Sequence, residues 1–446
     1  MSRLLQAHAL RRTPKTLGPY RFVRWRWRVL FGLIDSVGYA LFAVARAMQG
    51  ATTVRSAGFS PSRSALSPGD SNGRKPALPA AAGKPTGPRS PSDPRRILII
   101  QLDHLGDAVL STGFLAGLRW RFPQASIEVL AAPWNRELFE AMPEVDRVHV
   151  SHRNRFAQCG WLGWVCGTVW WGLFLRRRRP DLAIDVRGEF PTALIAWLSG
   201  AARRLGWTCG GGGFLLTDSP AWAPDRHEAD SRLALLAALG VSEPELARFR
   251  QPRFEPSDDA RREVRELLSG LPGWGEERPL VVLHVGAGTT AKRWPVEHWR
   301  GLVRRLLGTL DAQLVLVGGP GERIIARNIL GPHPQPGVAD WTDRLDVPLL
   351  AALLEQADLV VGADSGPAHL AAAVGTPAVV LFSGTNHARQ WQPCGEQVTV
   401  LARPVPCSPC HRRECPVGEH PCMAGIEPEE VARAVEAALS RKGVRQ

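Results

Sequence analysis

A short apolar run that stops at a glycine and restarts as a helix constrains this chain more than any other feature. Leu359 to Thr376 reads LVVGADSGPAHLAAAVGT. The run Leu359–Val361 predicts a strand, ended by Gly362-Ala363. Ser365 or Asp364 suits the N-cap of the helix that follows, Pro367 suits its first turn and Gly375 its stop. Such a helix start offers free N–H groups and a positive dipole end, which suit phosphate. Taken alone, the pattern equally describes an ordinary capped strand-to-helix turn.

The same rhythm recurs along the chain. Ile97–Gln101 (ILIIQ) is wholly apolar, as a strand buried on both faces of a parallel sheet would be. LDHLGDAVLSTGFLAGLRWRFP then turns at Gly106-Asp107 and reads as helix to Arg121. Strands are expected at 127–131, 145–150 and 181–186, with helices at 191–198 and 230–239. A second series begins at Leu280–Val285 and continues through strands at 313–317, 359–362 and 378–382, with a terminal helix at 427–439. Alternating strands and helices predict an α/β fold of two Rossmann-like halves facing a cleft, with ligands at the carboxyl ends of strands. The expected division is 1–95, 96–270 and 271–446.

The net charge of +13 suggests a nucleic-acid binder until it is located. Residues 1–96 hold 17 Lys/Arg against 3 Asp/Glu, whereas residues 97–446 hold 38 against 39. The near-neutral body excludes a broad basic face for DNA or RNA. The basic arm points to an anionic surface, and lipid is the expected partner. Within it Val29–Met48 is largely apolar. Leu30, Ile34, Val37, Leu41 and Val44 share one helical stripe, with Asp35, Ser36 and Arg46 off it. An interfacial helix is expected rather than a span, since Asp35 near a bilayer centre would cost ~2.5–3.5 kcal/mol. Residues 50–95, rich in Pro, Gly, Ser and Ala, are expected to be a disordered tether. Trp161–Leu175, followed by four arginines, reads either as a core helix or as one that dips into a membrane face.

Three loops of the second half carry chemistry. Gly286 to Lys292 combines small residues with Thr289, Thr290 and Lys292. Gly318 to Glu322 offers a carboxylate suited to ribose hydroxyls. Asp364, Ser365, Gly366 and His369 form the helix start. Amides and cations for a pyrophosphate plus a carboxylate for a sugar describe a nucleotide diphosphate site. The dinucleotide fingerprint and the Walker A pattern are both absent, which argues against a dehydrogenase or a P-loop enzyme. In the first half Asp107 stands at a strand-to-helix junction, as a proton acceptor across the cleft or as a helix cap. Cys407, Cys410, Cys415 and Cys422 form C-x2-C-x4-C-x6-C, with His411 and His420 interleaved. Structural zinc, reduced thiols packing a loop and redox chemistry are the three readings.

RRILIIQLDHLGDAVLSTGFLAGLR, LHVGAGTTAKRWPVEHW and GADSGPAHLAAAVGTPAVVLF match, in order and spacing, segments of one family. The chain resembles glycosyltransferase family 9, the ADP-heptose:lipopolysaccharide heptosyltransferases, over about residues 95–440. The resemblance implies a GT-B fold and inverting, metal-independent transfer of heptose from ADP-heptose to a lipid-linked saccharide. It also implies work at the cytoplasmic face of the inner membrane, as a peripheral protein. By position it implies that Asp107 is the general base, that Lys292 binds donor phosphate with Thr289 or Thr290 nearby, and that Asp364, Ser365, Gly366 and His369 bind the donor. Glu322 is the weaker match, for the ribose. Gly113 departs from the pattern, which usually has proline there, and the 95-residue extension has no counterpart role.

Overall fold

The structure is a computed structural model, and it describes residues 35–41, 93–151, 160–275, 277–332 and 335–442. Most of the expected linker and most of the expected interfacial helix lie outside the described residues.

Two parallel sheets organise the molecule. The first contains β1 (Arg96–Gln101), β2 (Ser126–Ala131), β3 (Arg147–Val150), β4 (Leu182–Asp185) and β5 (Arg203–Gly206), in the order β3-β2-β1-β4-β5. The second contains β6 (Leu280–His284), β7 (Gln313–Val317), β8 (Val338–Asp340), β9 (Leu359–Ala363), β10 (Ala378–Phe382) and β11 (Val398–Ala402), in the order β11-β10-β9-β6-β7-β8. Every pairing is parallel. Strand order reverses between β1 and β4 in one sheet and between β6 and β9 in the other. Crevices open at such switch points, so the loops after β1, β6 and β9 are placed for binding.

The helices that matter are α1 (35–41), α2 (Leu105–Leu110), α3 (Thr112–Arg121), α4 (Arg136–Ala141), α5 (Gly160–Arg176), α6 (Phe190–Leu198), α7 (Glu228–Ala237), α8 (Asp258–Ser269), α9 (Val296–Thr309), α10 (Arg323–Leu330), α11 (Val347–Gln356), α12 (Gly366–Ala373) and α13 (Pro428–Lys442). The central strands β1, β6, β7, β9 and β10 are buried almost throughout, as their unbroken apolar runs require. On one face of the first sheet, α5 and α6 close a core of Leu98, Ile100, Trp171, Leu175, Ile195 and Ala196. A larger core under α2, α3 and α7 covers the other face.

The helix expected to run unbroken to Arg121 is two helices. Ser111 interrupts it, its hydroxyl donating to the Asp107 carbonyl or to Gln101 Oε1. Two residues on, Gly113 lies against the Phe249 backbone, where a Cβ would run into the carbonyl oxygen. Trp161–Leu175 is helical as expected, within α5, and its inner side contributes to the core. Among the described residues no helix is long and apolar enough to cross a membrane.

Candidate active site

The two halves meet where α2 and α12 pack against each other. A Cβ on Gly106 would lie 2.9 Å from His369 Cδ2, and one on Gly366 would lie 2.8–2.9 Å from three Leu105 side-chain atoms. Glycine on both helices therefore permits the approach. It places Asp107, one residue beyond Gly106, beside the start of α12.

Asp107 is in the first turn of α2, whose N-cap is His104. The cap alternative for Asp107 is thus not the one realised. Its Oδ1 accepts from Arg232 Nη2 at 3.2 Å. Arg232 projects from α7 and is only 4% exposed. Its Nη1 donates to the Glu228 carboxylate and its Nε to Ser111 Oγ. Burial works against the guanidinium charge, but Glu228, Asp107 and Asp103 outweigh it and push its pKa above the ordinary value. On the same rim Asp103 accepts from Arg187 Nη1 at 2.5 Å and from Gln101 Nε2 at 2.9 Å. Gln390, from the second half, donates to Glu228 Oε1 at 3.0 Å. The network around Asp107 therefore reaches into both halves.

On the opposite side, Asp364 is 4% exposed and takes the Lys292 ammonium on Oδ2 at 2.6 Å. His369 Nε2 stands 3.7 Å from its other oxygen. Burial would raise the Asp364 pKa, yet neighbouring His369 and Lys292 hold the carboxyl below its usual range. Asp364 is thus an ionised anchor that fixes the lysine beside the helix start. Ser365 is the N-cap of α12 but makes no side-chain cap bond. Its hydroxyl lies 3.1 Å from His284 Nδ1, and it donates to the Ala363 carbonyl. Glu322 accepts the Gly319 N–H at 2.8 Å and stands 3.6 Å from His284 Nε2. Burial would raise its pKa too, and His284 with the N–H groups of Gly319 and Ala287 lowers it below the ordinary value.

The expected donor residues divide by what they touch. Lys292, Asp364, Ser365, His369 and Glu322 converge on the ends of β6, β7 and β9. Gly366 sits under Leu105 of the other half, so its smallness serves the approach of the halves. Thr290 turns away, donating to the Arg413 carbonyl. Thr289 stays, and its buried Oγ1 has no hydrogen-bond partner among the described residues; the same is true of His369 Nδ1. Buried polar atoms without partners call for a ligand or water. Sequence reasoning missed Arg232, Glu228, Gln390, Asp103, Arg187 and His284. The Glu228–Arg232 spacing on one helix face was a visible signal, as was a histidine closing the otherwise apolar β6. Nothing in the sequence marks Gln390.

The four cysteines of the C-x2-C-x4-C-x6-C run are free thiols lining a cavity of about 30 Å³ with His420. Among the described residues, no three His, Cys, Asp or Glu side chains are placed to hold a metal ion. Burial, with the neighbouring sulfurs, pushes the Cys407 and Cys422 thiols up.

Comparisons with known proteins agree with this architecture. A lipopolysaccharide heptosyltransferase 2 from Salmonella typhimurium is 26% identical over 365 residues, covering 78% of this chain and all of that protein. The solved E. coli ADP-heptose lps heptosyltransferase II superposes with a TM-score of 0.62 at 24% identity, covering 78% of this chain and 99% of that one. E. coli heptosyltransferase WaaC with ADP gives 0.60 at 19%, over 77% and 99%. These likenesses establish the GT-B fold. The model of glycosyltransferase family 9 (heptosyltransferase) matches residues 172–420, more than half of the chain. This chain belongs to glycosyltransferase family 9.

Proposed function

We propose that this enzyme moves a heptose from ADP-heptose to a hydroxyl of the lipopolysaccharide core or a related glycolipid, with inversion, at the cytoplasmic face of the inner membrane. The observation that carries the reading is the meeting of α2 with α12, which sets Asp107 beside the Lys292–Asp364–His369 cluster. The choice of sugar and acceptor is supported by the family and by the name of the Salmonella relative.

Asp107 removes the proton of the acceptor hydroxyl as its oxygen bonds to the anomeric carbon. The bond from that carbon to ADP breaks, and its electron pair leaves on the terminal phosphate of ADP. General-base catalysis of this kind is worth ~10²–10⁴ in rate. Lys292, the free N–H groups opening α12 and Thr289 are suited to the charge that develops on the leaving phosphate. Asp364 holds Lys292 in place, and Glu322 is suited to the ribose hydroxyls. Arg232 acts through Asp107, so it is a positioning residue.

The test is turnover with ADP-heptose and with uridine and guanosine diphospho-sugars. Turnover of ADP-heptose supports the reading. Turnover confined to a uridine or guanosine donor would overturn the choice of sugar, and ADP binding with no turnover of any donor would indicate a scaffold of the same fold.

A further inference from the structure

The surface around α1, α6 and α5 exposes large apolar side chains on all three helices. The helix α1 docks by its polar and small residues. Asp35 is buried and its Oδ1 accepts the Gly212 N–H at 2.7 Å. Gly38 lies flat against the Phe214 ring, and Tyr39 meets the same ring edge-on at 6.1 Å. Val37 and Leu41, the two described residues of the expected apolar stripe, consequently face outward at 59% and 64% exposure. The carboxylate that argued against burial in lipid is thus spent on a backbone donor of the first half.

The next two helices pack inward through apolar residues and expose others as well. The Gly213–Leu215 turn carrying Phe214 packs on α6 through Ala193, Phe190 and Leu194. In turn α6 packs on α5, where Gly172 meets Leu198. On α5 the inner residues Trp171 and Leu175 fill the core, while Cys166, Trp170 and Leu173 form an exposed stripe. Trp197 of α6 is exposed as well, and with Arg176 and Arg204 it lines a cleft of about 310 Å³. Arg176, Arg177 and Arg179 have no carboxylate within ion-pair distance among the described residues, whereas Arg178 is held by Glu128.

We propose that α1, α6 and α5 form one docking face for an anionic lipid bilayer. Val37, Leu41, Trp170, Leu173 and Trp197 enter the interface, and Arg176, Arg177 and Arg179 meet the headgroups. Tryptophan with arginine is the chemistry of a membrane boundary, where the ring sits at headgroup level and the cation pairs with lipid phosphate. Neither a nucleic acid nor a polar protein surface would match exposed apolar residues on separate helices. This inference is independent of which sugar the enzyme transfers.

The experiment is flotation of the full chain with vesicles of phosphatidylcholine alone and with phosphatidylglycerol added. The basic residues before α1 are present in every variant, so their contribution is constant. Wild type is expected to float with the phosphatidylglycerol vesicles and to be released by salt. Trp170→Ser with Leu173→Ser is expected to weaken binding at least tenfold, and each arginine-to-alanine change about fivefold. An unchanged melting temperature and unchanged transfer to a detergent-dispersed acceptor show that the variants are folded. Equal flotation of folded variants and wild type would overturn the proposal. So would a wild-type dimer dissociated by these changes with flotation intact, since the face would then join copies of this chain.

Discussion

Arg232 and Asp107 form a pair in which one member does chemistry and the other keeps it aimed. The guanidinium serves Glu228, Ser111 and Asp107 with separate N–H groups, a fork that an ammonium cannot reproduce. Arg232→Lys is expected to lower kcat at least tenfold with little change in the donor KM, measured by steady-state kinetics. Arg232→Met would leave Glu228 and Asp107 without their cation and is expected to cost about 3–5 kcal/mol of stability, read by denaturant unfolding. A different outcome is expected at Lys292. Lys292→Ala removes the partner of buried, ionised Asp364. It should raise the donor KM and lower the melting temperature together. A rise in KM with unchanged stability would mean that Asp364 does not depend on the lysine.

At the scale of elements, the connection from β4 to α6 shows how a buried carboxyl ties stability to pH. Asp185 is fully buried and accepts from the Gly188 and Arg187 N–H groups and the Thr192 hydroxyl. Burial dominates and pushes its pKa up to about 7. Between the ordinary carboxylate range near 4 and about 7, the folded protein therefore holds a proton that the unfolded chain has released. Stability from this group falls as pH rises through that window. Glu128 works in the opposite sense and lower down. Burial opposes its charge, but His149 and Arg178 bring its pKa to about 2, so its contribution is present above about 4.5 and lost as pH falls toward 2. Asp185→Asn is expected to flatten the melting-temperature profile between about pH 4 and 7 while leaving the acid limb unchanged.

The elements legible from sequence were those with one dominant cause. Gln313–Val317 and Ala378–Phe382 have the predicted bounds because both faces of each strand are buried and, Gln313 apart, the sequence is apolar. The strands β5, β8 and β11 were not foreseen. They are edge strands, short or half-exposed, and their residues RRLG, VAD and VTVLA include polar or small positions without the solid apolar signal. The candidate site divided along the same line. Lys292, Asp364 and His369 lie in or just after loops marked by glycine, whereas Arg232 and Gln390 reach the site only through the packing of α7 and of a single-turn helix from the other half.

At the scale of the molecule, several contacts hold the halves together. Leu105 and Gly106 of α2 pack on Gly366 and His369 of α12. Gln390 reaches Glu228, the His227 ring nitrogen lies 2.9 Å from the Gln392 carbonyl, and Glu137 accepts the Val347 N–H. A side chain at Gly366 would force this contact apart. Gly366→Val is expected to reduce turnover far more than ADP binding, with a larger radius of gyration in solution scattering. The central claim is that Asp107 deprotonates an acceptor while the other half holds the donor. Its most direct test is turnover of ADP-heptose by wild type and Asp107→Asn, with ADP affinity measured by calorimetry on both. A loss of ~10²–10⁴ in kcat with ADP affinity unchanged is the predicted result. Turnover within a fewfold of wild type would show that another group takes the proton and would contradict the account.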